Sequence, residues 1–301
     1  MPDGIVLIDK EKGESSFNVV RDVRRILKEK KVGHAGTLDP FATGLLVILL
    51  GQGTKLFSYL TSMDKEYEAV LRLGIETDTL DETGRVVRTE RVSSLDPEFI
   101  RGEAKELVGE IEQIPPAFSA IRCGGRRAYE LARKGICPSL EKRVVKIHRL
   151  EITSIDLPDV TLTVRCSKGT YIRSLGADLG RRLGPGGHLV SLRRISSGPF
   201  TVDKAIRRTG LGFSAEDLRN RVIPLPNALP HLREVEVSKD TGEMIEKGFP
   251  ANRWEGEILS NLPDSLAGPV KLVREGKLLA ILKRLPVPEG KDCLELMRVF
   301  V

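Results

Sequence analysis

The chain has 301 residues, and its 48 lysines and arginines against 42 aspartates and glutamates give a net charge of +6. This length predicts one large domain or two unequal ones, with ample chain for a core. The longest uninterrupted apolar run, at residues 45–50, is far shorter than the roughly 20 residues that a membrane span needs. The amino terminus has no basic region followed by an apolar stretch, so we expect a cytoplasmic protein rather than a secreted one. Gln52 and Gln113 are the only glutamines, a scarcity that resembles thermophile proteins.

Positive charge is concentrated in one segment, residues 122–149. This segment contains nine lysines and arginines against Glu130 and Glu141, so the remainder of the chain is nearly neutral. A solvated basic face is one interpretation of such a run. A patch that holds the whole net charge equally favours a polyanionic partner such as nucleic acid.

Apolar patterns and capping residues predict the elements of the first hundred residues. In chain order these are a buried strand at residues 5–8, a helix capped by Ser15 or Ser16, a buried strand at 45–50, a half-buried strand at 67–73 and a helix from Asp96 towards Leu107. A turn-rich segment at residues 33–44 connects the first helix to the strand at 45–50.

In the second half of the chain, breakers and alternation predict an excursion followed by more sheet. Ile114-Pro115-Pro116 leads into the basic segment, which indicates an excursion from the sheet. Strands are predicted at residues 144–155 and 160–166, a helix at 169–183 and a strand at 189–195. Because strands and helices mix without a regular βαβ order, we expect an α+β fold with a largely antiparallel mixed sheet flanked by helices.

Clustered prolines at residues 224–230 predict a domain boundary. The expected domains are residues 1–229, which include the basic insertion at about 122–149, and residues 230–301. In the smaller domain a helix starts at Ser238, and strands at 270–273 and 278–282 flank a turn at Glu275-Gly276. This pattern suits a small β-barrel-like binding module.

Motifs for metals, phosphate loops and activated nucleophiles are missing from the sequence. The four histidines show no paired spacing, and no C-x-x-C occurs. Gly51-Gln52-Gly53-Thr54-Lys55 lacks the spacing of a phosphate loop, and no G-x-S-x-G is present. We therefore expect neither a metal nor a cofactor.

The segment from Gly33 to Gly44 holds the most informative residues. Its three glycines and one proline predict a tightly turned, rigid loop. Asp39 precedes Pro40, which biases its backbone to an extended conformation. Read alone, this is a turn aspartate that accepts backbone N–H bonds, but the same loop also contains His34.

This loop and four further motifs closely resemble the TruB family of tRNA pseudouridine synthases, which isomerise uridine 55 in the T loop. The resemblance covers nearly all of residues 4–200. It is carried by Asp9-Lys10 with Gly13 and Ser15-Ser16, by His34 to Gly44, by Asp64-Lys65-Glu66-Tyr67, by Ser167 to Leu175 and by Leu192-Arg193-Arg194. It implies the pseudouridine synthase fold and an isomerase that acts without a cofactor.

The resemblance also implies roles at the reacting base. Asp39 corresponds to the essential aspartate, which adds to the uracil ring or to the ribose, or acts as a base at the sugar. Arg173 corresponds to the arginine that pairs with that aspartate through charge-assisted bonds. Tyr67 is expected to stack on uracil and to take up the released proton, while Tyr171 and Leu192 line the uracil pocket. By sequence pattern alone, Tyr67, Tyr171 and Leu192 are packing residues, and Arg173 is a surface residue.

Further residues are expected to bind the RNA. His34 matches the histidine that fills the stack after the target base is flipped out, and Lys10 contacts phosphate or supports the loop. The basic insertion, with Arg126 and Arg127, is expected to clasp the T loop by its phosphates. The C-terminal domain resembles an RNA-binding PUA domain that touches the acceptor stem.

We expect a monomer that needs no protein partner. One alternative is a related subunit that works only with a guide RNA and partner proteins, although such relatives generally lack the basic insertion. The other is a tRNA chaperone that binds and refolds tRNA without modifying it.

Overall fold

A computed structural model describes residues 3–207, 212–263, 268–285 and 293–300. The strands in these ranges are β1 (Gly4–Lys10), β2 (Val32–His34), β3 (Thr43–Leu50), β4 (Lys65–Leu73), β5 (Ile75–Thr77), β6 (Val86–Thr89), β7 (Gly109–Gln113), β8 (Arg122–Cys123), β9 (Arg126–Arg127), β10 (Arg143–Asp156), β11 (Asp159–Cys166), β12 (Gly187–Ser197), β13 (Phe200–Thr201), β14 (Ile206–Arg207), β15 (Ile223–Pro224), β16 (Arg233–Glu236), β17 (Pro269–Arg274), β18 (Lys277–Leu285) and β19 (Cys293–Val299). The α-helices are α1 (Ser16–Leu27), α2 (Phe57–Thr61), α3 (Pro97–Lys105), α4 (Ala128–Arg133), α5 (Ile172–Arg182), α6 (Ala215–Asn220), α7 (Lys239–Glu246) and α8 (Glu255–Asn261).

An eleven-stranded sheet forms the centre of the molecule. Its main order is β14-β1-β3-β12-β4-β11-β10-β7, and β2, β13 and β15 pair at its margins. Within it β3 and β12 are parallel, as are β1 and β14, and the other pairs are antiparallel. The expectation of an α+β fold with a largely antiparallel mixed sheet is confirmed.

Helix caps follow the residues that the sequence marks. The Ser15 hydroxyl accepts a 3.1 Å hydrogen bond from the Asn18 amide and caps α1. Asp96 caps α3 in the same way, with Pro97 in the first turn. Ser16, the alternative cap, lies inside the helix, where its hydroxyl bonds to the loop that carries Asp39. Of the two candidate serines, one therefore starts the helix and the other supports the loop.

Three boundaries differ from the sequence-based expectation. Strand β10 begins at Arg143 and pairs with β7 and β11, so residues 143–149 of the basic segment belong to the main sheet. The excursion is thus residues 114–142, which include β8, β9 and α4. Helix α5 begins at Ile172 rather than near Gly169, whose φ of +81° is not helical. His34 ends strand β2 instead of lying in the loop.

The strands β1 and β3 are buried on both faces, because each face is covered by a different layer. One face packs against helices through Val6, Ile8, Leu46 and Ile48, in a cluster that includes residues of α1 and α5. The other face packs through Ile5, Leu7, Leu45, Val47 and Leu49 against side chains from beyond residue 224, among them Leu225, Ile281 and Phe300. Continuous apolar runs are typical of strands covered on both sides.

The C-terminal segment forms a second, four-stranded sheet of order β16-β17-β18-β19. It has a cluster of its own around Trp254, Ile258 and Leu272. The Ser238 hydroxyl caps α7, as the sequence indicates. Whether this unit is a PUA domain stays a prediction. In the described part of the chain, no helix is long and apolar enough to cross a membrane.

Candidate active site

The loop that carries Asp39, residues 35–42 between β2 and β3, is held by backbone contacts. The Ser16 hydroxyl accepts from the Leu38 amide at 2.9 Å and donates to the Leu38 carbonyl at 3.1 Å. The Gly13 amide donates to the Pro40 carbonyl at 2.7 Å. Residues on both sides of Asp39 are therefore anchored, which leaves its side chain, one-third exposed, free to face a cavity.

Arg173 reaches this aspartate from the first turn of α5, with only 3% of its side chain exposed. Its Nε lies 2.9 Å from Asp39 Oδ2, an ion pair in which the N–H is not aligned for a hydrogen bond. Nη1 donates to the Thr79 carbonyl at 2.7 Å and lies 3.3 Å from Asp81 Oδ2. Nη2 donates to the Phe118 carbonyl at 3.0 Å. Two carboxylates and two carbonyls thus fix the guanidinium, and Arg173 is not a surface residue.

One face of the sheet supplies the next wall. Tyr67 on β4 lies directly opposite Arg194 on β12, and Leu192 lies opposite Ala69. Side chains two residues apart on a strand share a face, so Tyr67, Leu192 and Arg194 point to the same side. Burial raises the pKa of the Tyr67 phenol, and the charge of Arg194 counteracts that effect.

Tyr171 is oriented by an amide that the sequence did not single out for chemistry. Gln113 at the end of β7 donates to the Tyr171 carbonyl at 3.0 Å and accepts from the Tyr171 amide at 2.8 Å. This pair of bonds fixes the residue just before α5. Burial raises the pKa of the Tyr171 phenol as well.

These parts enclose an open cavity of about 710 Å³. Five of the residues predicted from sequence line it: Asp39, Tyr67, Tyr171, Arg173 and Leu192. The topology explains why they meet. Strand β3, which follows the Asp39 loop, is next to β12, β12 is next to β4, and α5 packs on both of these strands.

Lys10 lies behind the loop and is not part of the cavity lining. The Lys10 ammonium is buried and donates to the carbonyls of Glu11 and Glu14, both at 2.8 Å, and to that of Pro40 at 3.5 Å. Burial lowers the pKa of Lys10 to about 8. These contacts fit the expected support of the loop, and contact of Lys10 with phosphate stays a prediction.

His34 is half-buried at the end of β2 and is also outside the cavity lining. Burial and the nearby charge of Arg194 lower the pKa of its imidazole. Its buried Nδ1 has no hydrogen-bond partner among the described residues. Burial and the nearby charge thus favour the neutral imidazole, which suits stacking rather than ion pairing.

Arg126 and Arg127 are exposed on the short hairpin strand β9 of the excursion. Neither lines the cavity, whereas Tyr129 and Arg133 on the following helix α4 do. The Arg133 guanidinium lies 5.4 Å from the centre of the Tyr129 ring. The excursion thus reaches the cavity by a pair that the sequence analysis did not select.

Three further charged residues that line the cavity, Lys65, Asp81 and Arg194, were given no role from the sequence. Asp81 belongs to no regular element and carries no motif, and Arg194 was noted only as part of Leu192-Arg193-Arg194. A local signal exists at Leu80, whose φ of +63° is rare for a leucine and lies between two contacts of Arg173. This φ angle is a property of the folded chain and cannot be read from the sequence.

Comparison with known proteins gives this site a family. The model "TruB family pseudouridylate synthase (N terminal domain)" matches residues 24–172. The model "tRNA pseudouridylate synthase B C-terminal domain" matches residues 173–229. The first match contains Asp39, Tyr67 and Tyr171, and the second contains Arg173 and Leu192.

Full-length relatives and solved structures agree with these matches. The chain is 41% identical to tRNA pseudouridine synthase B of Geobacter sulfurreducens, with 99% of each chain covered. It is 45% identical to the protein of that name from Clostridium kluyveri, over 82% of this chain and 84% of the other. The crystal structure of a Cbf5-Nop10-Gar1 complex contains a chain with a TM-score of 0.71 and 25% identity, covering 100% of this chain and 85% of the other. The chain belongs to the TruB family of pseudouridine synthases, and it is an isomerase.

Proposed function

We propose that this enzyme converts uridine 55 in the T loop of tRNA to pseudouridine, without a cofactor and in the cytoplasm. The observation that carries the proposal is the Asp39–Arg173 ion pair, 2.9 Å long, at the edge of an open cavity. A tRNA substrate is supported by the relatives named tRNA pseudouridine synthase B, which match along the whole chain.

The reaction breaks the N1–C1′ bond, turns the uracil and forms a C5–C1′ bond, while one proton moves from carbon to nitrogen. Substrate and product are isomers, so no oxidant or reductant is required. Asp39 adds to the uracil ring or to the ribose, or acts as a base at the sugar, and all three routes start from its carboxylate. Arg173 keeps that carboxylate in place through the transformation. Tyr67 stacks on uracil and takes up the released proton.

The target base has to leave the RNA stack to reach the cavity, at a cost of a few kcal/mol. Tyr171 and Leu192 receive the flipped uracil between apolar surfaces. His34, whose burial favours the neutral imidazole, fills the gap in the RNA. Stacking of this kind returns roughly 1–3 kcal/mol per base.

Binding energy comes from charge outside the cavity. Arg126 and Arg127 on the excursion grip phosphates of the T arm, and the unit beyond residue 230 touches the acceptor stem. Contacts to phosphate position the RNA without reading its sequence, so loop shape determines the target. The enzyme acts as a monomer and needs no protein partner.

A subunit that depends on guide RNA is the first competing function. The solved Cbf5 chain belongs to a complex with Nop10 and Gar1, but its identity to this chain is 25%, against 41% for the Geobacter relative. The excursion at residues 114–142 supplies a cationic surface of the chain's own. Both points favour stand-alone action. A chaperone without modification activity would leave the arrangement of Asp39 with the buried Arg173 and Asp81 without a use.

The decisive experiment incubates the purified protein with an unmodified tRNA transcript and maps new pseudouridine. We expect one modified position, 55, with no added RNA or protein. Modification that appears only with a guide RNA would support the first competing function. Tight binding without any modification would support the second.

Asp39→Asn should reduce product to background while tRNA affinity stays within about threefold, because the amide cannot act as a nucleophile or base. Asp159→Asn is the matched control. Asp159 also forms an ion pair with an arginine of the main sheet, Arg72, but it lies outside the cavity lining. Turnover by Asp39→Asn above background, or an equal loss in the control, would contradict the assignment.

A further inference from the structure

Arg194 is a buried cation with no carboxylate partner among the residues that the structure describes. It is 1% exposed, and its Nε and Nη2 donate to the carbonyls of Leu45 at 2.7 Å and Gly36 at 3.1 Å. Within the described residues, no carboxylate forms an ion pair with it at 4.0 Å or less. Arg173 and Arg193, in contrast, both have carboxylate partners. Burying a charge that has no partner of opposite charge is unfavourable, so we expect the Arg194 cation to stabilise another group nearby.

The guanidinium faces the cavity and the Tyr67 phenol. Arg194 and Tyr67 are paired residues of β12 and β4 and both line the cavity. The charged and titratable groups that act on the phenol come from three elements: Arg194 on β12, Cys166 on β11 and Asp39 in its loop. Cys166 and Asp39 raise the pKa of Tyr67, as does burial, and Arg194 is the group that lowers it.

Arg194 also contacts the loop that carries Asp39. Its acceptor Gly36 lies three residues before Asp39. Just after the loop, Gly44 of β3 pairs with Arg194, and a Cβ on Gly44 would lie 2.3 Å from the Arg194 carbonyl oxygen. With a φ of +98°, Gly44 is a glycine for conformational reasons as well. The Arg194 side chain therefore holds the loop that carries Asp39 and also faces the Tyr67 phenol.

We propose that Arg194 is a positioning residue that supplies the counter-charge for an anionic Tyr67 during proton transfer. The inference rests on the proposed function. Tyr67 gives its phenolic proton to N1 of the released base, is an anion for that interval, and regains a proton from C5 after the C5–C1′ bond forms. The C–H electron pair returns to the ring, so the tyrosine ends as it began. The buried guanidinium stabilises the interval, because a nearby cation favours the charged form of an acid.

Two substitutions separate the charge of Arg194 from its hydrogen bonds. Arg194→Gln removes the charge but keeps N–H donors for the loop carbonyls, and Arg194→Lys keeps the charge. Arg193→Gln is the matched control, because Arg193 is the adjacent residue of β12 and forms an ion pair with Asp9 at 2.8 Å outside the cavity lining. All variants are made in the full chain and checked by thermal unfolding.

The first readout is the single-turnover rate at saturating enzyme together with tRNA affinity. Arg194→Gln should lower the rate by about 10²-fold or more, which is typical for loss of proton-transfer catalysis. Affinity should stay within about threefold, and Arg194→Lys should recover most of the rate. The second readout is the titration of the Tyr67 ¹³Cζ resonance, identified among the four tyrosines by its absence in Tyr67→Phe. That titration should shift to higher pH in Arg194→Gln and stay near the wild-type position in Arg194→Lys and in Arg193→Gln.

Equal loss of rate in the Gln and Lys variants with an unmoved Tyr67 titration would show a purely structural role and overturn the proposal. An Arg194→Gln rate within threefold of wild type would overturn it too. If Arg194→Gln does not fold, Arg194→Lys decides alone. A lost single-turnover rate in Arg194→Lys, with Tyr67 titrating at the wild-type pH, would then overturn the proposal. Failure of the wild-type enzyme to form pseudouridine would instead overturn the proposed function, and the NMR titration does not depend on that reaction.

Discussion

At the scale of single residues, the site depends on polar side chains that hold backbone rather than substrate. Ser16 uses one hydroxyl for both the amide and the carbonyl of Leu38, and Lys10 binds three carbonyls around the same loop. A buried polar group that is satisfied in this way rigidifies its surroundings. The motif residues Ser16 and Lys10 therefore have a structural explanation, because they fix the loop that positions the Asp39 carboxylate.

Lys10 makes this support measurable as a function of pH. Its pKa falls from 10.5 to about 8 on folding because burial disfavours the ammonium. Between these two values the unfolded chain binds more protons than the folded one, so Lys10 makes the free energy of unfolding increase with pH across that window. In urea denaturation between pH 8 and 10, the wild type should gain stability relative to Lys10→Met.

The exposed Lys12, which pairs with Glu82, provides the control for this pH effect. Lys12→Met should change the dependence of stability on pH far less than Lys10→Met does. Parallel pH curves for the wild type and Lys10→Met would show that Lys10 keeps its ordinary pKa in the folded protein.

At the scale of elements, the excursion at residues 114–142 joins an exposed cationic hairpin to the cavity. Its backbone supplies the Phe118 carbonyl that Arg173 uses, and its helix α4 brings Tyr129 and Arg133 to the cavity. Its hairpin, β8 and β9, exposes Arg126 and Arg127. One segment thus lines the cavity at one end and exposes two arginines at the other.

The double substitution Arg126→Ser with Arg127→Ser should weaken tRNA binding and reduce its dependence on salt. Each lost phosphate contact lowers the slope of log affinity against log salt by roughly 0.7–0.9, so the slope should fall by about 1.5. The single-turnover rate at saturating enzyme should change little, because neither arginine lines the cavity. Fluorescence anisotropy across a salt series measures the slope.

Arg101→Ser with Lys105→Ser on α3 removes the same charge from another exposed part of the surface. This control should leave the salt slope nearly unchanged. An equal decrease in both double variants would indicate a general effect of net charge instead of a clasp.

At the scale of the whole molecule, the C-terminal sheet is joined to the main sheet by shared apolar packing. Ile281 and Phe300 belong to the same buried cluster as Ile5 and Leu7 of β1. The Lys271 ammonium, also buried, donates to the carbonyls of Pro226 and Leu229 in the connecting segment. The proline-rich segment therefore marks a change of sheet across which one buried cluster continues.

Ile281→Ala tests this coupling. The substitution should lower the free energy of unfolding by about 2–5 kcal/mol, the usual cost of truncating a fully buried isoleucine. Because the cluster is shared, calorimetry should show one cooperative transition that moves as a whole. Leu296→Ala, at a site 42% exposed, should have a much smaller effect. A separate early transition in Ile281→Ala would show that the two sheets unfold independently.

Local chemistry in the sequence was sufficient for the α+β class, most elements, the rigid loop around Asp39 and the residues that resemble the family's motifs. Apolar runs, helix caps and Gly-Pro turns act over a few neighbouring residues, so they are visible in one dimension. The tertiary structure alone decided that Arg173 is shared between Asp39 and Asp81, that Ser16 supports the loop, and that Arg194 faces Tyr67. These contacts join residues far apart in the chain, and their partners are chosen by strand order and register, which no local pattern specifies.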